Sequence, residues 1–225
     1  MKNRELKLGI LFVIIFIIWT LSLLIIDVKP LGVNQTNIGL SSINVWFHQM
    51  TGTNMFLYIL TDWLGLVPVF VCLCFGLLGC IQLIKRRSLI KVDYDLIVLG
   101  IYYIVVIFSY LLFEKLPINY RPILIEGRME VSYPSSTTLL VLSVMLSLYE
   151  QVNRRVLNIQ SKNMIHLCIV IFTVFMIGGR FISGVHWVSD IIGSILISIA
   201  YYSFYKGVLK WNFMKNFKNY VKVKN

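Results

Sequence analysis

The sequence predicts an all-α integral membrane protein, a bundle of six helices with a polar site between the loops on its outward side. Three observations carry that prediction. Hydrophobic residues make up 58% of the 225 residues and charged residues 14%, where a soluble domain carries roughly 25% charged. Apolar runs close to membrane-spanning length recur along the chain. Lysines and arginines concentrate in alternate loops.

The first run, 8–27, follows a basic N-terminus. It is longer than the apolar core of a signal peptide, about 7–15 residues, and Asp27-Val28-Lys29-Pro30 offers no small-residue cleavage site. It reads as an uncleaved first span. The stretch 28–63 is a polar outward loop in which 43–60 has the makings of an interfacial helix. Its sequon, Asn34-Gln35-Thr36, reads as chance. Further spans are predicted over 64–84, 94–113, 136–152, 164–179 and 187–206. Cys72, Cys74, Cys80 and Cys168 lie inside apolar runs and read as small buried hydrophobes. No internal repeat divides the chain, so 1–225 reads as a single transmembrane domain.

The basic residues fix an orientation. Lys2, Arg4 and Lys7 precede the first span, Lys85, Arg86, Arg87 and Lys91 follow the second, and Arg154, Arg155 and Lys162 follow the fourth. Lys206, Lys210, Lys215, Lys218, Lys222 and Lys224 follow the sixth. Cytoplasmic loops carry the positive excess, so both termini are expected in the cytoplasm of a multi-pass cell-membrane protein. The remaining five, Lys29, Lys115, Arg121, Arg128 and Arg180, then face outward. The net charge of +11 is thus topological, and no nucleic-acid partner is expected. The tail interleaves lysines with Trp211, Phe213, Phe217 and Tyr220, as a segment held by anionic membrane lipids does.

The outward residues form a pattern. The chain reads Lys115-Leu-Pro-Ile-Asn-Tyr-Arg121-Pro122, then Tyr133-Pro134-Ser135-Ser136-Thr137, then Arg180-Phe-Ile-Ser-Gly-Val-His186-Trp-Val-Ser-Asp190. Charge beside apolar segments is costly and marks function. Lys115, Arg121 and Arg180 can neutralise phosphate, arginine by a bidentate fork and lysine as a point charge. Ser135 stands where the apolar run 139–148 begins, a helix-capping place whose free backbone donors also suit an anion. His186 and Asp190 are four apart at the start of the last span, so on a helix they share a face. A carboxylate on one ring nitrogen leaves the other free to attack phosphorus. His166 reads as a packing residue at the cytoplasmic end of the fifth span.

These residues resemble the type 2 phosphatidic acid phosphatase family, which shares a fold core with vanadium-dependent haloperoxidases. Its motifs are Lys-x6-Arg-Pro, Pro-Ser-Gly-His and Ser-Arg-x5-His-x3-Asp. The third is matched here in spacing by Arg180, His186 and Asp190. The resemblance implies that Lys115, Arg121, Ser135 and Arg180 bind phosphate. It implies that His186 forms a phosphohistidine steadied by Asp190, with no metal or other cofactor.

Three departures stand out. Five residues separate Lys115 from Arg121 instead of six, Gly179 stands in place of the serine before Arg180, and Thr137 in place of the general-acid histidine. Threonine does not supply general acid catalysis, typically worth 10²–10⁴-fold. Three readings follow. The substrate is a lipid diphosphate such as a polyprenyl diphosphate, whose phosphate leaving group needs less protonation. Or another residue (His48, Tyr133, Glu126 or Glu130) donates the proton. Or the protein binds phosphorylated lipid, as sensor or scaffold, without turnover. A transporter is disfavoured, because the charged positions cluster outward and no polar residues are expected along a path through the membrane. A haloperoxidase is disfavoured because those enzymes are generally large and soluble.

Overall fold

The computed structural model describes the backbone of residues 2–224 and the side chains of residues 4–211. Helix α1 spans Lys2–Ile25. A hairpin of β1 (Lys29–Leu31) and β2 (Thr36–Ile38) follows, antiparallel with Pro30 opposite Asn37. Then come α2 (Ser41–Thr51), α3 (Met55–Leu64), α4 (Leu66–Arg86) and a 3-10 turn at Leu89–Lys91. The bundle is completed by α5 (Tyr94–Glu114), α6 (Ser136–Arg155), α7 (Ile159–Ser183) and α8 (Val188–Lys224).

Among the described residues, five segments are long and apolar enough to cross a membrane: Arg4–Ile25, Met55–Arg86, Tyr94–Glu114, Ile159–Ser183 and Val188–Trp211. Their outer faces carry exposed apolar side chains such as Ile18, Leu77, Ile104 and Phe108, the surface that lipid covers. The second segment begins at Met55, not at 64 as the apolar pattern predicts. Asn54 caps α3 by accepting from Leu57 N at 3.0 Å, and Gly65 stays in the right-handed helical region, so α3 runs into α4. The predicted interfacial helix over 43–60 is therefore two helices, split where Gly52 takes φ 62°. Asp62 consequently belongs to an apolar segment and not to a loop.

The fourth predicted span coincides with α6, whose composition is too polar to place it among those five. It nevertheless runs the length of the bundle. Ser135, at its N-terminal end, donates its backbone N–H to the Asp190 carbonyl at 3.2 Å. Arg155, at its C-terminal end, pairs with Asp95 at the start of α5. Its 20 residues rise about 30 Å. Lipid does not reach its interior face, because Val141, Ser143, Val144 and Ser147 are fully buried against α5, α7 and α8.

That face corrects one expectation. A row of polar groups does run through the bundle. Ser143 Oγ donates to Ser198 Oγ at 3.2 Å, Tyr103 meets Ser147 at 3.1 Å, and Gln151 Nε2 donates to Tyr205 at 2.8 Å. Small hydroxyl residues let transmembrane helices approach closely and bond across. The row is a packed seam of α6 against α5 and α8, with each of these groups satisfied by its neighbour.

The end of the bundle away from Ser135 is tied by charge. Arg86 Nη1 lies 2.7 Å from Asp93, Arg155 joins Asp95, and Lys210 joins Glu5. Arg86 and Gln82 hold the Asp93 carboxyl below its ordinary range. His166 stacks on Tyr149 near this end, ring centroids 3.7 Å apart, a packing role as expected. Lys2, Lys215, Lys218, Lys222, Lys224 and the tail aromatics after Trp211 lie outside the described side chains.

Candidate active site

Three segments far apart in sequence meet at the other end. α7 ends at Ser183 because Gly184 adopts φ 65°, a left-handed cap. A side chain at 184 would also collide with the backbone of Gly52, since a Cβ there would lie 1.8 Å from the Gly52 carbonyl oxygen. The chain then turns through Val185, His186 and Trp187 before α8 begins at Val188. His186 thus precedes the helix instead of lying on it.

Its ring is 4% exposed and has a partner on each side. Nδ1 lies 3.1 Å from the Ser132 carbonyl, which as an acceptor requires the proton on Nδ1. Nε2 then carries the lone pair and faces Arg121 Nη1 at 3.1 Å. Burial, with Arg121 and then Arg180 nearby, holds the imidazole well below its ordinary pKa. The neutral, nucleophilic form is favoured.

Asp190 is close but is not the hydrogen-bond partner of that ring. Its Oδ2 sits 3.7 Å from Nδ1, farther than the Ser132 carbonyl. Oδ2 accepts from the Trp187 N–H at 3.0 Å, and Oδ1 accepts from Asn119 Nδ2 at 3.0 Å. Asp190 pins the His186 turn from below. Asn44 does the same for its neighbour Ser189, donating to its hydroxyl at 3.0 Å and accepting from its N–H at 3.1 Å.

Arg121 also forms an ion pair with Glu130, Nε to Oε2 at 2.9 Å. Arg180 is 1% exposed and directs Nη2 to both Asp62 Oδ1, at 2.8 Å, and the Thr137 hydroxyl. Its Nε and Nη1 are buried with no partner among the described residues. Buried donors are rarely left so, and each of these N–H groups is free to meet an oxygen of an anion. The two guanidinium carbons lie 5.8 and 5.0 Å from the ring centre of Tyr58, so Tyr58 brings both arginines to one place. A cavity of about 520 Å³ opens here, lined by Lys115, Arg121, Glu130, Ser136, His186 and the apolar Phe113.

Ser135 is fully buried at the start of α6, but its hydroxyl does not cap the helix as the sequence predicts. It accepts from Thr138 Oγ1 at 3.1 Å. Lys115 ends α5 and is exposed at the cavity wall. The residues proposed as stand-in acids separate. Tyr133 bonds Thr20 at 2.6 Å, and burial raises its phenol further. His48 packs edge-on to Trp187 with ring centroids 5.6 Å apart. Glu126 is exposed at a turn with φ 49°, and Glu130 lines the cavity.

Sequence reasoning missed Tyr58, Asp62, Asn44, Asn119 and Ser132. For Asp62 a signal existed, a lone carboxylate beside an apolar run. Ser132 contributes through its backbone, which residue identity does not reveal.

A family model, the PAP2 superfamily, matches residues 109–214. The fold resembles the crystal structure of the first transmembrane PAP2 type phosphatidylglycerolphosphate phosphatase from Bacillus subtilis. The TM-score is 0.63 at 14% identity, over 90% of this chain and 96% of that one. No curated protein sequence matches the chain. The matched segment spans all three motifs and the membrane helices are arranged as in that structure, so the chain resembles the PAP2 superfamily in its second half and in its fold.

Proposed function

We propose that this protein is a metal-independent membrane lipid phosphatase acting through a phosphohistidine at His186, with a polyprenyl diphosphate as its substrate class. The observation that carries the reading is Arg180, buried with two unpartnered N–H groups, beside a neutral imidazole whose Nε2 lone pair meets Arg121. Phosphoryl transfer is chiefly positioning and charge stabilisation, and this arrangement supplies both. Arg121, Arg180, Lys115 and the Ser135 hydroxyl, with Ser136 at the cavity wall, hold the terminal phosphate. Nε2 attacks phosphorus, the bond to the leaving oxygen breaks, and Asp190 offsets the positive charge gained by the ring. Thr137 favours a leaving group that is stable as an anion, as a lipid monophosphate is and an alkoxide is not. The apolar wall at Phe113 and Leu139 suits the first part of a lipid tail.

The basic loops at the opposite end favour a cytoplasmic placement for both termini and an extracytoplasmic cavity. Such a site would recycle a lipid carrier used in envelope assembly. A second reading rests on Thr137 itself: a family member that binds phosphorylated lipid without turnover. A phosphate-release panel over lipid monophosphates and diphosphates in detergent micelles, with His186→Ala as the blank, separates the two. Preferential release from polyprenyl diphosphate, with acid-labile label on His186, is the expected result. Equal or faster release from phosphatidic acid removes the substrate assignment, and no release from any lipid leaves the binding reading.

A further inference from the structure

We propose that Asp62 is the proton acceptor for the water that releases phosphate from His186, an assignment that rests on the phosphohistidine reading above. Asp62 holds Arg180 Nη2 at 2.8 Å, and the same nitrogen donates to the Thr137 hydroxyl. The carboxylate therefore stands beside the position where the family motif has its histidine. Phosphate does not have to displace it. The unpartnered donors of Arg180 are Nε and Nη1, so an oxyanion can accept from one of them while Nη2 keeps Asp62 and Thr137. The Asp62 side chain stays 60% exposed, so the protein itself leaves room for water beside it.

Two departures from the family motifs converge on this contact. Gly179 stands in place of a serine, and a Cβ there would lie 2.7 Å from Thr61 Cγ2. Its missing side chain is what lets α3 close on α7 and bring Asp62 to Arg180. Thr137 meets the same helix from the other side, with its Cγ2 3.6 Å from a Cβ built at Gly65. Thr137 and Gly179 thus flank the segment that delivers a carboxylate. An ionised carboxylate paired with arginine offers only acceptor oxygens and has no proton to give. It is poorly suited to protonating an alkoxide in the first step and well suited to activating water in the second. That division matches a diphosphate substrate.

The proposed step balances as follows. Water oxygen bonds to phosphorus while the N–P bond breaks, its electron pair returning to His186 Nε2. One water proton passes to the Asp62 carboxylate, and from there to solvent or to the departing phosphate.

The test is rapid quenching of the full-length protein in micelles with polyprenyl diphosphate labelled at the terminal phosphate. Asp62→Asn is expected to release about one lipid monophosphate per protein in a burst and to accumulate acid-labile label. Its steady turnover falls about 10²–10⁴-fold. Asp62→Glu keeps the charge on Arg180, and its label decays about tenfold or more slowly than in the wild type because the carboxylate is displaced. A burst lost in step with turnover in Asp62→Asn, or wild-type label decay in Asp62→Glu, overturns the assignment and leaves Asp62 as the counter-ion of Arg180. Label that persists in His186→Ala overturns the phosphohistidine reading and this assignment with it.

Discussion

Arg121 Nη1 lies 3.1 Å from His186 Nε2, so a guanidinium caps the nitrogen expected to attack phosphorus. The contact keeps the lone pair aimed into the cavity while no substrate is present. When phosphate enters, the same fork can turn its N–H groups to the oxygens. Arg121→Lys retains charge but loses the fork. It is expected to lower kcat/KM about 10²–10³-fold, the range seen when one donor to a developing oxyanion is removed. Steady-state phosphate release on the purified variant checks this, and a change under threefold would remove Arg121 from the phosphate site.

The protonation state of His186 gives a second test. Its pKa in the fold is held below the ordinary value by burial and by the two arginines. The unfolded chain therefore binds a proton on this ring, near pH 6.5, before the folded one does. Stability from this group is full above that pH and declines as pH falls toward the folded value. The imidazole likewise remains neutral, the form that the proposed attack on phosphorus requires, somewhat below pH 6.5. A histidine ring titration by NMR, with His186→Gln to assign the resonance, is expected to show His186 titrating below pH 6.5. A midpoint above 6.5 would mean that the carbonyl of Ser132 and the carboxylate of Asp190 outweigh the arginines.

Asp190 is fully buried and its oxygens are held by Asn119 and the Trp187 N–H. Removing the Asn119 amide leaves a buried carboxylate short of a donor, at a cost of about 1–3 kcal/mol. Asn119→Ala is expected to lower the Tm in detergent and to reduce kcat without abolishing it. Asn119→Asp adds like charge beside Asp190 and is expected to be worse on both readouts. Thermal unfolding of the two variants followed by tryptophan fluorescence, alongside kcat, checks the order.

The helices and the grouping of Arg121, Arg180, His186 and Asp190 at one end of the bundle were legible in the sequence. Spacing and apolar length carry that information. Much of the site's support was not. Asp62 falls just outside an apolar window starting at 64, and only the continuous α3–α4 segment moves it inside. The bond from His186 Nδ1 goes to a backbone carbonyl, which no side-chain motif encodes. The polarity of α6 made its run look short, whereas its serines and Gln151 bond partners across the bundle. An isolated stretch of sequence does not show which polar residues find such partners.

Gly179 offers the sharpest check on the local packing. A serine there puts a Cβ 2.7 Å from Thr61 Cγ2, closer than two carbon atoms pack. Overpacking of this kind costs typically about 1–3 kcal/mol, and here it also pushes α3 away from Arg180. Gly179→Ser is therefore expected to lower both Tm and turnover. Thr61→Ser removes the colliding methyl and keeps the hydroxyl that donates to the Leu57 carbonyl at 2.7 Å. In the double variant Gly179→Ser with Thr61→Ser, Tm and turnover should both recover most of the loss. Contacting residues couple in this way, and distant ones add. Strict additivity of the two substitutions would show that α3 does not rest on α7 at Gly179, and the placement of Asp62 would fall with it.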